Sequence, residues 1–200
     1  MLNLNNVLTL SAEQNSIIQG FGTLTAEHWR RNETKLRKAI RDSLKSKQNN
    51  CCVYCGCRVM GTGDVEHIAH KADYPQFLFT PENLAYSCKT CNQTYKGKTN
   101  VVSYANATYQ GCRFIIVHPY LDNVDLFFDT TRPLIKIKQG LSAPDQAKAE
   151  TTYKLFRWSE PEVAEHRAMQ AMAQKYAIEH NTNIDQVRYE NILTYIPGNL

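Results

Sequence analysis

Apolar residues recur at helical spacing along several stretches of the chain, and short apolar runs bounded by turn residues separate them. Ser11 followed by Gln14 predicts a capping box that opens a short helix to about Gln19, with Gly20 and Gly22 closing it. Thr25 can cap a longer helix to about Lys47, with Glu27 in its first turn. Its apolar positions Trp29, Leu36, Ile40 and Leu44 form one stripe. Around Cys55–His67 the pattern predicts a short hairpin, then a loop through Pro75, a strand at Leu84–Ser87 and a helix at Lys89–Lys98. Further on, the runs RFIIVH (113–118), DLFF (125–128) and LIKIK (134–138) are expected as strands. Ser142 then caps a helix to about Trp158, on which Ala149, Tyr153 and Phe156 share a face. Ser159 with Glu162 forms a second box before a helix to about His180, and a last helical stretch covers 184–193.

These elements make an α+β chain with helices at both ends of a central segment rich in Cys, His, Asn and Lys. Its 200 residues divide into a helical segment over 1–50, a cysteine-bearing core over 51–105 and a strand-and-helix extension over 106–200. No stretch approaches the length of apolar residues a membrane span needs. MLNLNNVLTL lacks the basic start and apolar core of a secretory signal, so a cytoplasmic location is expected.

Charge refines this picture. Residues 1–105 carry 13 Lys and Arg against 8 Asp and Glu; residues 106–200 carry 10 against 11. The cations concentrate at Arg30, Arg31, Lys35, Arg37, Lys38, Arg41, Lys45 and Lys47, among which only Glu33 and Asp42 are acidic. Two readings fit such a stripe: a track for a phosphate backbone, or a solvated helix face. The more acidic second half is the natural surface for a protein partner.

Seven cysteines, an odd number, argue against a disulfide framework and for metal. Cys52-x-x-Cys55 and Cys88-x-x-Cys91 are two tight turns, each aiming two thiolates at one point. Together they supply the closed tetrahedral set of a structural Zn²⁺. Cys51 and Cys57 are near enough to compete for a place, and Cys112 reads as a core residue.

The segments CVYCG, VEHIAHK and PENLAYSCKTCNQTYKGK together resemble the HNH, or ββα-metal, endonuclease family. His67 matches its first histidine, Asn83 its central asparagine, and Asn92 its third position, where the family accepts His or Asn. The resemblance implies a DNA-hydrolysing enzyme. His67 would be the general base, Asn83 would hold the loop that orients it, and Glu66 and Asn92 would ligate Mg²⁺ or another divalent cation. Lys71, Lys96, Lys98, Arg37 and Arg41 would meet phosphates, and RNA is not excluded as substrate. Glu66 stands where the family often has Asp, and His70 where many members have Pro. His70 is open to three readings: metal ligand, phosphate contact or solvent-facing residue. The layout through His118-Pro-Tyr is also similar to HNH nucleases of bacterial phage-defence systems of the Septu and retron-linked type. That similarity implies a defence role and an operon-encoded ATPase partner. A non-catalytic, zinc-stabilised binding module is the competing reading.

Overall fold

The computed structural model describes residues 1–31, 35–131, 133–184 and 187. The first capping box forms as the sequence predicts: Ser11 accepts from the Gln14 N–H and Gln14 returns a bond to the Ser11 N–H, opening α1 (Ala12–Gln19). The long helix expected from Thr25 is seen as α2 (Ala26–Arg31) and α3 (Leu36–Lys47); the junction at 32–34 lies outside the described residues. Its stripe is the predicted one, since Trp29, Leu36, Ile40 and Leu44 are all buried. Of the helical stretch expected over 184–193, all but Ile184 and Val187 lie outside the described residues.

α3 ends in two left-handed residues, Asn49 (φ 50°) and Asn50 (φ 58°), and the Asn50 N–H reaches back to the Lys45 carbonyl at 2.8 Å. Asparagine tolerates this conformation better than most residues. The turn swings Gln48 inward. Its amide accepts from the Tyr86 N–H and donates to the Tyr86 carbonyl, both at 2.7 Å, so a side chain completes the sheet edge. This bonding ties α3 to the central strands.

Those strands are β1 (Asp64–His67) and β2 (Leu84–Ser87), antiparallel, with Asp64 opposite Ser87 and His67 opposite Leu84. The hairpin expected over Cys55–His67 is not formed. The 52–57 backbone instead curls on itself, with Cys52 N–H on the Cys57 carbonyl and Gly56 N–H on the Cys52 carbonyl, leaving a single bridge between Cys51 and Arg58. Gly63 precedes β1 because a Cβ there would sit 2.5 Å from the Tyr86 ring. After β2 comes a π-helix over Thr90–Lys96. A π turn accommodates one more residue than an α turn, and this one carries Lys96 to the buried side of the segment.

The second half departs further from the apolar pattern. Of 113–118 only Arg113–Phe114 pairs, as β4, with β3 (Val102–Tyr104). Val117 N–H is taken by the Thr152 hydroxyl at 2.8 Å instead of a strand partner. The DLFF run opens as one helical turn, α4 (Val124–Phe127), because Asn123 caps it through the Asp125 N–H. Only then does β5 (Phe128–Asp129) pair with β6 (Lys136–Ile137). α5 (Ala143–Leu155) starts at Ser142 as expected. α6 (Pro161–Glu179) is capped at Glu160 and not at Ser159, since Pro161 takes the first helical position.

One apolar cluster draws on all three sequence segments, from Leu8 and Ile40 through Tyr54 and Leu84 to Phe156 and Trp158. Tyr54 stacks on Phe156 with ring centroids 3.9 Å apart. α6 is pinned to the 52–58 turn by Arg167, which donates to the carbonyls of Cys55, Thr130 and Pro133, and by Gln170, which exchanges bonds with the Arg58 backbone. Among the described residues no helix is long and apolar enough to cross a membrane.

Gln48→Leu is expected to destabilise the protein by about 1–3 kcal/mol although it adds apolar surface, because the buried Tyr86 N–H loses its acceptor. A urea midpoint equal to that of the parent chain would contradict this account of the sheet edge.

Candidate active site and metal centre

The two CxxC turns meet. Sulfurs of Cys52, Cys55, Cys88 and Cys91 all lie within 4.8 Å of one another. A tetrahedron with Zn–S bonds of about 2.3 Å has edges of about 3.8 Å, so this set can close on one ion with little movement. The turns are shaped for it. Gly56 adopts φ 70°, and the Cys91 N–H points at the Cys88 sulfur at 3.4 Å. Burial raises the Cys52 thiol, hydrogen bonding to Cys52 raises Cys91, and hydrogen bonding from Cys52 lowers Cys88. The four cannot all ionise without a cation. Cys57 is buried beside the cluster and Cys51 is partly buried, but neither belongs to the four-sulfur set. Cys112 is buried elsewhere, as expected of a core residue.

β1 carries Glu66 and His67 and ends at His67. Being adjacent on a strand, they face opposite ways. His67 is buried and meets the edge of Trp29, with ring centroids 4.5 Å apart. Its Nε2 lies 3.0 Å from the Leu78 carbonyl. A carbonyl only accepts, so Nε2 carries the proton and Nδ1 the lone pair. Among the described residues Nδ1 has no hydrogen-bond partner. Burial, reinforced by the charge of Lys71, pushes the imidazole down to about 3, so it is neutral at ordinary pH.

The carbonyl that orients His67 belongs to the loop between β1 and β2, and Asn83 holds that loop. It is fully buried; its Oδ1 accepts from the Ala69 N–H at 2.7 Å, and its Nδ2 donates to the carbonyls of Ala69 and Phe77.

Sequence leads one to expect an open metal ligand at Glu66 and a phosphate contact at Lys96. The structure pairs them with each other. Lys96 Nζ is 2.8 Å from Glu66 Oε1, both side chains being 2% exposed, and it also donates to the His67 carbonyl at 3.0 Å. Tyr54 donates to the same Glu66 oxygen at 2.9 Å. Lys96 is therefore not available to nucleic acid: an ammonium buried this deeply requires a carboxylate partner, and the π-helix carries it inward.

Asn92 lies elsewhere, half-buried in a polar cleft of about 520 Å³ that Glu66 does not line. Trp29, Arg30, Arg37, Lys38, Arg41 and Lys71 line the cleft with it, and Asp64 is its one carboxylate among the described residues. Arg37 sits over the Trp29 ring at 5.3 Å. Burial lowers the Lys71 ammonium. The expected cations Arg37, Arg41 and Lys71 thus share one cleft, while Lys98 is exposed and not among its lining residues. His70 is paired with Asp73 at 3.2 Å. His67 is not among the lining residues and relates to the cleft through Trp29, whose ring it contacts. Sequence reasoning missed Tyr54, which has no motif, and the role of Trp29, which reads only as part of an apolar stripe.

Comparison with known proteins gives two partial similarities. Over 98 residues, 49% of this chain, it is 30% identical to Protein ea31 of Escherichia phage lambda. Over 56 residues, 26% of the chain, it is 41% identical to Septu protein PtuB of Bacillus thuringiensis. These matches span 30% and 22% of the two relatives' own lengths. No family model matches the chain.

Two outcomes test the centre. Titrating the metal-free protein with Zn²⁺ in weak buffer should release protons, because Cys52 and Cys91 hold theirs, and should saturate near one ion per chain. Cys88→Ser should lower Tm by roughly 10 °C, since several kcal/mol are lost at about 2–4 °C per kcal/mol for a chain of this size. Uptake without proton release would contradict the assignment. A second outcome concerns acid. His67 and His118 are each held near about 3 by burial, against about 6.5 when unfolded. The unfolded chain then binds more protons between those values, so stability is full above about pH 6.5 and falls as pH drops toward 3. Urea midpoints that stay constant from about pH 7 to 5 would show that both rings protonate in place.

Proposed function

We propose that this chain is a metal-dependent HNH endonuclease that hydrolyses phosphodiester bonds in DNA, with β1, β2 and the following helix as a ββα-metal core. The observation that carries the reading is the state of His67. It is neutral, its Nε2–H is fixed on the Leu78 carbonyl, its Nδ1 lone pair is unpartnered among the described residues, and its ring packs on Trp29, a lining residue of the cation-rich cleft. A base needs a free lone pair and a fixed ring, and a phosphodiester needs cations around it.

In this reading Arg37, Arg41 and Lys71 hold the phosphate backbone in the cleft. His67 Nδ1 takes a proton from a water, whose oxygen attacks phosphorus as the 3′ oxygen leaves. Asn83 keeps the Leu78 carbonyl in place so that the base keeps its tautomer. Asn92, which lines the cleft, offers an oxygen that a hard divalent cation there could take, whereas Glu66, buried on Lys96 and Tyr54, is not open to one as placed. When bound, such an ion supplies charge neutralisation at the phosphorus and the leaving oxygen. The four cysteines hold a structural Zn²⁺ apart from this chemistry. Similarity to Septu protein PtuB supports a role in phage defence, and the proposal adds an ATPase partner that controls cleavage.

One observation favours the competing reading of a zinc-stabilised binding module: Glu66 already has a cation in Lys96. Incubation with plasmid, single-stranded DNA and RNA, with Mg²⁺ or Mn²⁺ and with EDTA, separates the two. Metal-dependent DNA cleavage is expected, and His67→Ala should lower it by about 10²–10⁴-fold while keeping the fold. Binding without cleavage under every metal, with the ATPase partner present, would favour the module. Cleavage by His67→Ala at the parent rate would remove the base assignment.

A further inference from the structure

Asn83 has one more partner, and it comes from the extension. The Tyr109 hydroxyl lies 3.0 Å from Asn83 Oδ1 and 2.9 Å from His118 Nε2. Both Tyr109 and His118 are buried.

Every proton along this path has a forced direction. Asn83 Oδ1 is identified as the oxygen because the Ala69 N–H points at it, and Nδ2 as the nitrogen because two carbonyls face it. The Tyr109 hydroxyl must therefore donate to Oδ1, and it is left to accept from His118. At the other end, His118 Nδ1 faces the N–H groups of Tyr120 and Leu121, each at 3.2 Å, so Nδ1 is the acceptor and Nε2 bears the proton. Burial keeps the His118 ring neutral and the Tyr109 hydroxyl protonated. The path runs His118 Nε2–H to Tyr109 Oη–H to Asn83. Asn83 Nδ2–H then grips the Phe77 carbonyl, one residue before the carbonyl that orients His67.

We propose that His118 and Tyr109 are positioning residues for the general base: a one-way hydrogen-bond relay from the extension that fixes the Asn83 loop and, through it, the tautomer of His67. The inference rests on the nuclease reading of His67. Further bonds hold the segment around His118 in place. The His118 N–H bonds Asp122, whose carboxylate is held by Lys148 of α5, and Tyr120 donates to the Leu84 carbonyl of β2.

The test uses substitutions that each keep half of the imidazole. His118→Asn retains an acceptor for the Tyr120 and Leu121 N–H groups; His118→Gln retains a donor toward Tyr109. Tyr109→Phe removes the hydroxyl alone. Each is assayed for kcat and KM on plasmid DNA, and the ring nitrogens of His67 are read by ¹⁵N NMR. Expected are a kcat lower by about tenfold, with unchanged KM, for Tyr109→Phe and His118→Asn, and near-parental kcat for His118→Gln. In Tyr109→Phe the Nε2–H form of His67 should give way to a mixture of tautomers. Equal rates for the Asn and Gln variants, or an unchanged His67 spectrum in Tyr109→Phe, would overturn the relay. If the parent chain cleaves nothing but Tyr109→Phe still shifts the His67 tautomer, the relay stands and the nuclease reading falls.

Discussion

Four thiols drawn to one point are the constraint on which the rest of this structure depends. Cys52 and Cys55 follow α3, while Cys88 and Cys91 join β2 to the π-helix, so closing the cluster brings the two ends of the central segment together. Everything between them becomes a closed loop whose ends are fixed. β1 and β2 can then pair over only four residues each, a length that would be marginal for an isolated two-stranded sheet. α6 adds to the clamp, since Arg167 and Gln170 grip the backbone of the first cysteine turn.

Around that clamp the protein handles charge in two ways. In the cleft, cations sit at the surface, Arg37 over the Trp29 ring and Arg30, Lys38 and Arg41 in exposed pairs with Glu27 and Asp42. Beneath it, one cation is buried outright: Lys96 satisfies Glu66 and the His67 carbonyl together. A buried pair of this kind adds little net stability, but removing either partner strands a charge. It therefore fixes the geometry of β1 against the π-helix. His67 and His118 follow a third course and stay neutral, each with one nitrogen committed as donor and the tautomer set by backbone groups or by a hydroxyl.

Much of the site was legible in the sequence. Cysteine spacing is a local property, and it identified the four sulfurs that converge, while the structure decided against Cys51 and Cys57, which the spacing had left as competitors. The helical stripe named the buried residues of α2 and α3, and the Ser11 box appeared with both its bonds. Less legible were the short apolar runs of the second half. Run length alone does not separate a strand from a turn of helix, and Asn123 and Thr152 decided the outcome by supplying side-chain partners to the backbone.

By itself, then, the sequence determined which residues are chemically capable: four sulfur ligands, an imidazole next to a carboxylate, a run of cations, a set of apolar faces. Only the tertiary structure decided how each capability is used. Lys71 and Lys96 look alike in the chain, yet one faces a cleft and the other neutralises a buried glutamate. Tyr109 carries no motif, yet it stands between two buried polar side chains, Asn83 and His118. The reason is physical. Spacing fixes what neighbours along the chain can do together, whereas a side chain's charge state and hydrogen-bond direction depend on what distant segments bring against it once water has left.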